Sequence, residues 1–250
     1  MPTLGQSLPG VSPNSCAVNR LTTDDMRLLT TRGWLSLCEP SFADVLLGKG
    51  RVQVLEVSEP LFHPGDPSTG LFGVLTGGLG VSFVVPEFGP SMAHLALPGA
   101  WFGEMALVRR ARTTGVQATR PSRVVFIATR DIEALVLQDP RWWTSMALLA
   151  VLNGQLAMGV AYDLMLRDPR QRCVATLLRL AGFRHGTPRP MGPVELDITQ
   201  ADLAHMTNMS RNSIGAILRG LRDRQLIDVD YGQLIILDPH GLMQSLTADS

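Results

Sequence analysis

Lysine is almost missing from this chain: Lys49 is the only one, so nearly all of its positive charge is arginine. Arginine carries a planar, permanently charged fork suited to two-pronged contacts. The 22 basic residues are balanced by 22 acidic ones, and the formal net charge is zero. No global field therefore draws the chain to nucleic acid or to an anionic membrane, and any such attraction must come from a local cluster. Cysteine is scarce as well. Cys16, Cys38 and Cys173 are odd in number, far apart and without C-x-x-C spacing, which argues against a disulfide framework and against a zinc site. A reducing cytoplasm is the expected location, since the start of the chain has no basic stretch followed by an apolar run. The sequence also lacks a P-loop, a metal-binding cluster, and a nucleophile with a base at suitable spacing. His63, His94, His185, His205 and His240 are scattered, so no enzyme is expected.

What the chain does have is length for two modest domains, 250 residues with 45% hydrophobic content. Residues 1–22 begin with Pro, Gly and Ser without periodicity and are expected to form a flexible N-terminal arm. Residues 23–139 are expected to form a β-rich unit with flanking helices. Thr23, Asp24 and Asp25 suit the start of one short helix and Ser41 the start of another. From Val52 to Ile127, short apolar runs (VQVLEV, LFGVLTG, LGVSFVV, AHLAL, VVFIA) alternate with Gly and Pro corners at Gly65-Asp66, Gly77-Gly78 and Pro98-Gly99. Such spacing predicts a small sandwich or barrel. Within it, the period of two puts Leu79, Val81 and Phe83 on one face.

Asp131 suits the cap of a brief helix, and Pro140 the first turn of a long one across residues 140–167. Trp142 to Leu166 holds no Lys or Arg. Met146, Leu149, Leu156, Val160 and Leu164 define one apolar face; Trp143, Ala147, Val151, Met158, Ala161 and Met165 define another. Two apolar faces need two partners. One alternative is a membrane-associated sensor anchored by residues 142–166, but it would place Asn153, Gln155 and nearby Asp163 in hydrocarbon, where an aspartate costs roughly 2.5–3.5 kcal/mol at the centre. The preferred expectation is a dimerisation helix with one face on the β-unit and the other on a twin subunit, Asn153 fixing the register of the seam.

Residues 168–250 carry the most telling pattern. Thr199 with Asp202 forms a capping-box arrangement, and Leu203, Ala204 and Met206 supply an inner side. After Thr207 to Met209, Ser210 caps a second helix whose Ile214, Ile217, Leu218 and Leu221 form a buried stripe. Arg211, Asn212, Gly215, Ala216 and Arg219 then project outward, as a helix-turn-helix recognition element requires. Arginine pairs with guanine O6 and N7, asparagine with adenine N6 and N7, and a small residue lets the helix approach the groove floor. Ser210 and Ser213 offer hydroxyls to phosphate. The expected wing is a hairpin turning at Tyr231-Gly232.

"MSRNSIGAILRGL", within the stretch from Ile198 to Ile227, resembles the recognition helix of the Crp/Fnr family of bacterial transcription regulators, and the likeness runs from about Asp24 to Leu242. "FHPGDPSTGLFGVLTGGLGVSF" and "LPGAWFGEMAL" resemble the family's cyclic-nucleotide-binding β-roll, and "FGEMALVRRARTTGVQA" its phosphate cassette. The resemblance implies an α+β fold: an N-terminal β-roll (a jelly roll like those that bind cyclic nucleotides), the dimerisation helix, and a C-terminal winged helix-turn-helix. It implies a homodimer on a palindromic operator in double-stranded DNA, with RNA polymerase as a further partner. Ser210, Arg211, Asn212, Ser213, Gly215 and Arg219 are the implied DNA-binding residues.

Gly103, Glu104, Met105, Ala106, Arg112 and Thr113 are the implied ligand-binding residues, with Arg112 on a cyclic phosphate and Glu104 on a ribose hydroxyl. Ala157 and Met158 stand where cAMP-type members carry hydroxyls for the base, and Thr114 replaces a common Ala. A cyclic nucleotide, another small effector and no effector at all are therefore the alternatives. The cysteine pattern does not match iron-sulfur members of the family, and no metal is expected.

Overall fold

The computed structural model describes residues 20–85, 89–184, 192–230 and 233–246. Most of the expected N-terminal arm, the loop residues 185–191 and the wing turn at Tyr231-Gly232 lie outside the described residues. The chain begins with α1 (Thr23–Thr31) and α2 (Pro40–Leu47). The cap of α1 is Thr22 rather than Thr23, and Asp25 at the third helical position closes a capping box with it. The start of α2 is set by Pro40 at its first position, with Glu39 and not Ser41 as the capping residue. Proline there lacks only an N–H that would have had no helical partner.

Eight strands follow: β1 (Arg51–Leu55), β2 (Pro60–Phe62), β3 (Gly70–Thr76), β4 (Leu79–Val85), β5 (Gly89–Ala96), β6 (Trp101–Phe102), β7 (Gly115–Ala118) and β8 (Ser122–Ala128). They form two antiparallel four-stranded sheets, ordered β1-β8-β3-β6 and β2-β7-β4-β5. The apolar runs mark β1, β3, β4, β5 and β8. The other three strands are too short, or too rich in Pro and Gly, to give a periodic signal. Gly65, Gly77 and Gly99 adopt positive φ at the expected corners, a conformation that a Cβ would strain.

The inner faces of the two sheets meet over Leu55, Phe72, Val74, Leu79, Val116 and Val124. The outer face of the first sheet is covered by α1, α2, α3 (Thr129–Gln138) and the start of α4 (Trp143–Met165), through Trp34, Phe42, Leu71, Ile127, Ile132 and Met146. Strand β3 is consequently buried on both faces from Gly70 to Leu75. Asp131 lies in the first turn of α3 but does not cap it, and Pro140 starts a short 3-10 turn capped by Asp139 ahead of α4.

Asp168 caps α5 (Pro169–Leu180), and Gly182 follows it at positive φ. The C-terminal unit then runs β9 (Val194–Leu196), α6 (Gln200–Thr207), α7 (Arg211–Asp223), β10 (Ile227–Asp230), β11 (Gln233–Ile236) and α8 (Pro239–Gln244). Strands β10, β11 and β9 pair in that order as the wing. The core of this unit includes Val174, Leu177, Leu203, Ile214, Leu218 and Ile236. The capping box that starts α6 is complete: the Thr199 hydroxyl accepts from the Asp202 amide at 3.1 Å, and Asp202 accepts from the Thr199 amide at 2.8 Å. Thr199→Ala is expected to lower stability by about 1 kcal/mol, measured as a fall in the denaturant midpoint at unchanged slope.

Candidate functional site

Two faces of the molecule carry unsatisfied chemistry. The first is the outer side of α7. The Ser210 hydroxyl accepts from the Ser213 amide at 3.1 Å and lies 2.9 Å from the Ser213 hydroxyl, so both serines hold the helix start in place. Asn208 sits in the left-handed region at φ 52°, which gives the sharp turn between α6 and α7. Ile214, Leu218 and Leu221 are buried and Ile217 half-buried, while Arg211, Asn212, Ser213, Ala216 and Arg219 are exposed. Arg211, Asn212 and Arg219 make no side-chain hydrogen bond or ion pair among the described residues. With Arg222 and Arg224 also exposed, the face is locally positive on a chain of zero net charge.

Gly215 departs from the sequence expectation. It is buried, and a Cβ there would lie 3.3 Å from Gln200 Oε1 and 3.6 Å from Arg219 Nη1. Its small size lets α6 cross close over α7, and Ala216 is the small residue that remains open. Gln200, at the first position of α6, is thereby brought close to Gly215; helical periodicity alone gives no signal for that approach.

The β-roll and the C-terminal unit are held together by polar and apolar contacts. Arg120, after β7, places Nη1 2.9 Å from Asp197 and Nη2 3.1 Å from Asp202. Asp202 thus caps α6 and also ties it to the β-roll. Leu95 of β5 is buried in the core of the C-terminal unit, with Met92 and Leu97 packed beside it. Three residues of the same strand look elsewhere: Ala93, His94 and Ala96 line a cavity.

That cavity, about 470 Å³, is the second face. It lies between the second sheet, the cassette after β6 and one side of α4. Val81 and Phe83 line it, so the alternating face of β4 points into it, with Phe83 still half-exposed at its edge. Gly103, Glu104, Met105, Arg112 and Thr113 are on its walls. Ala106 is not: it is fully buried, and its amide donates to the Gly103 carbonyl at 3.0 Å.

Arg112 is only 4% exposed. Its Nη1 donates to the Gly103 carbonyl at 3.1 Å and its Nη2 to the Gly70 carbonyl at 2.9 Å. The guanidinium lies over the Phe62 ring, 4.4 Å from the centroid. Gly103, at φ 104°, makes this possible, because a Cβ would fall 2.7 Å from the Gly70 oxygen and 3.1 Å from Arg112 Nη1. No carboxylate among the described residues reaches ion-pair distance of Arg112, and its Nε–H has no acceptor. Burial pushes the guanidinium below its usual range, and the more distant Glu104 and Asp66 offset only part of this. A buried cation of this kind favours an anion beside it. Trp101, also on the cavity wall, has a buried indole N–H without an acceptor among the described residues.

Helix α4 closes the cavity through Leu149, Leu152, Asn153, Leu156, Ala157 and Val160. Asn153 faces the β-roll and not a twin subunit, correcting the expected register role: its Nδ2 donates to Glu104 Oε2 at 3.0 Å and to the Trp101 carbonyl at 3.2 Å. Trp34 Nε1 donates to the Ser145 carbonyl at 2.7 Å, and Asp163 is buried between Arg179 and Arg184. By length and composition the helix is apolar enough to cross a membrane, but these contacts fix it to protein near its start, middle and end. Trp143, Ala147, Val151, Met158, Ala161 and Met165 form an exposed stripe on the opposite side, while Leu164, expected on the inner face, is also exposed.

Two stretches of the chain match known protein families. Residues 52–139 match the family model for the cyclic nucleotide-binding domain, and residues 171–245 match that for the Crp-like helix-turn-helix domain. The cAMP-activated global transcriptional regulator CRP of Pasteurella multocida is 27% identical over 186 residues, covering 71% of this chain and 85% of that protein. A solved structure of a cyclic nucleotide binding protein from Ruegeria pomeroyi superposes with a TM-score of 0.65 at 17% identity, covering 90% of this chain and 98% of the other. A CRP/FNR-family transcriptional regulator from Thermus thermophilus superposes with a TM-score of 0.58 at 22% identity, covering 80% and 100%. At these identities the two structural likenesses speak for the fold alone.

Proposed function

Since the chain belongs to the Crp/Fnr family of transcriptional regulators, we propose that it acts as a cytoplasmic homodimer on a palindromic operator, controlled by an anionic small effector in the β-roll cavity. The observation that carries the DNA reading is the unpaired, exposed arginine and asparagine edge at the start of α7, set on a buried aliphatic ridge. Arg211 and Asn212 read bases, Arg219 supports them, and Ser210 and Ser213 fix the helix start against phosphate. RNA polymerase is the partner through which operator binding acts on transcription.

A cyclic nucleotide is the effector class that the cavity supports best. Arg112 is buried without a carboxylate partner and takes the phosphate, while Glu104 takes a sugar hydroxyl and Thr113 adds a donor. Ala157 on the α4 wall cannot offer a base the hydroxyl found in cAMP-type members, so discrimination between bases rests on other groups. When the effector binds the native state, stability rises with its concentration, by about 2.7 kcal/mol at a hundred times Kd. The test is a thermal shift across cAMP, cGMP and cyclic dinucleotides. At least one is expected to raise Tm of the wild type, and Arg112→Ala is expected to abolish that rise. No shift with any of them would contradict the cyclic-nucleotide reading while leaving the DNA reading intact.

A further inference from the structure

One partly buried polar chain joins all three parts of the molecule. His94, on β5 opposite Val81, lines the cavity. Its Nδ1 lies 3.0 Å from Arg179 Nη1, on α5. Arg179 Nε donates to Asp163 Oδ2, on α4, at 2.7 Å, and Arg184 Nε donates to the other carboxylate oxygen at 2.8 Å. The Arg179 and Asp163 side chains are each 1% exposed. A guanidinium only donates, so Nδ1 must accept and the ring proton must sit on Nε2. Burial and the charge of Arg179 lower the His94 pKa to about 3, so the ring is neutral in the working range. Nε2–H has no acceptor among the described residues. The ring therefore holds the sensor end of the chain with one nitrogen and presents a free donor with the other.

We propose that His94 is the positioning residue that reports cavity occupancy to the DNA-binding unit. This rests on the reading of the cavity as an effector site. A ligand acceptor, such as a carbonyl or ring nitrogen of a base, takes the Nε2–H bond. It fixes the ring and makes Nδ1 the better acceptor for Arg179, since hydrogen bonds in a chain polarise one another. Arg179 then holds α5 more firmly against Asp163 of α4, which biases the placement of the helices that follow. Leu95, the next residue on β5, is buried in the C-terminal core, so a shift of this strand is felt there directly.

The test uses the full chain with His94→Leu, which can neither accept from Arg179 nor donate into the cavity, and His94→Gln, which can do both. Operator affinity is measured with and without a saturating nucleotide from the panel that shifts the wild type. His94→Leu is expected to bind the nucleotide more weakly, still through Arg112, and at saturation to lose the nucleotide's effect on operator affinity, about fivefold or more in the wild type, whereas His94→Gln retains it. A wild-type effect in His94→Leu overturns the proposal. If no nucleotide binds, the effector reading fails by itself and hydrogen exchange of the ligand-free chain decides: α5 amides exchange faster in His94→Leu and at the wild-type rate in His94→Gln. Unchanged α5 exchange in His94→Leu overturns the proposal. The wild-type chain labelled with ¹⁵N-histidine gives a reading independent of any variant's folding. One ring is expected as the neutral Nε2–H tautomer down to about pH 4, and its absence overturns the proposal.

Discussion

Val151→Glu combined with Met158→Glu is expected to leave the chain folded but monomeric and to lower operator affinity by at least about a hundredfold. Both residues lie on the exposed side of α4, where Trp143, Ala147, Val151, Met158, Ala161 and Met165 recur at helical spacing and stay exposed among the described residues. Met158 is 56% and Met165 75% exposed, so the stripe is a continuous apolar surface of a kind that monomers rarely leave open. Gly154, between Val151 and Met158, has nothing within 4 Å of the position its Cβ would take, so a second helix can approach closely there. The symmetric partner that fits is the same helix of a second copy, packed with a period of three and four residues. Opposed glutamates in that seam would be buried without partners. Dimer loss matters because two recognition helices joined in one body meet successive major grooves about 34 Å apart, and the second contact then forms at high effective concentration. Sedimentation should show a dimer for the wild type and a monomer for the variant; a dimeric variant would place the seam elsewhere.

The second large effect concerns Arg211. Arg211→Ala is expected to reduce preference for the operator over unrelated duplex by about 10- to 100-fold, while weak binding to any duplex persists. The side chain is exposed and without an ion pair among the described residues, so unfolding stability should stay within about 0.5 kcal/mol of wild type. Competition binding with operator and scrambled duplex measures the first quantity, and thermal unfolding the second. Unchanged preference would remove Arg211 from base reading and shift that role to Asn212 or Arg219.

Local chemistry makes the helix-turn-helix legible in the sequence. Caps act within three residues, as with Thr199 and Asp202 or Ser210 and Ser213, and the aliphatic ridge of α7 repeats at the helical period. The Gly corners of the β-roll are legible for the same reason, since positive φ is a property of one residue. Contacts between distant segments are not. Asn153 sits among apolar residues on a helix with two apolar faces, and nothing in the pattern says which face meets Glu104. Gly215 reads as open until α6 is placed across it, and nothing local to Arg120 announces its pairing with Asp197 and Asp202, about 80 residues further on. The cavity itself depends on α4 closing over the second sheet, a packing event with no local signature.

Selection of duplexes from a random pool by the full wild-type chain, with Arg211→Ala run in parallel, tests most directly whether the exposed edge of α7 reads DNA. Enrichment of two inverted half-sites centred one helical turn apart, lost in the variant, is the expected result. A wild-type chain that enriches no sequence, or a variant that enriches the same one equally well, would contradict the account.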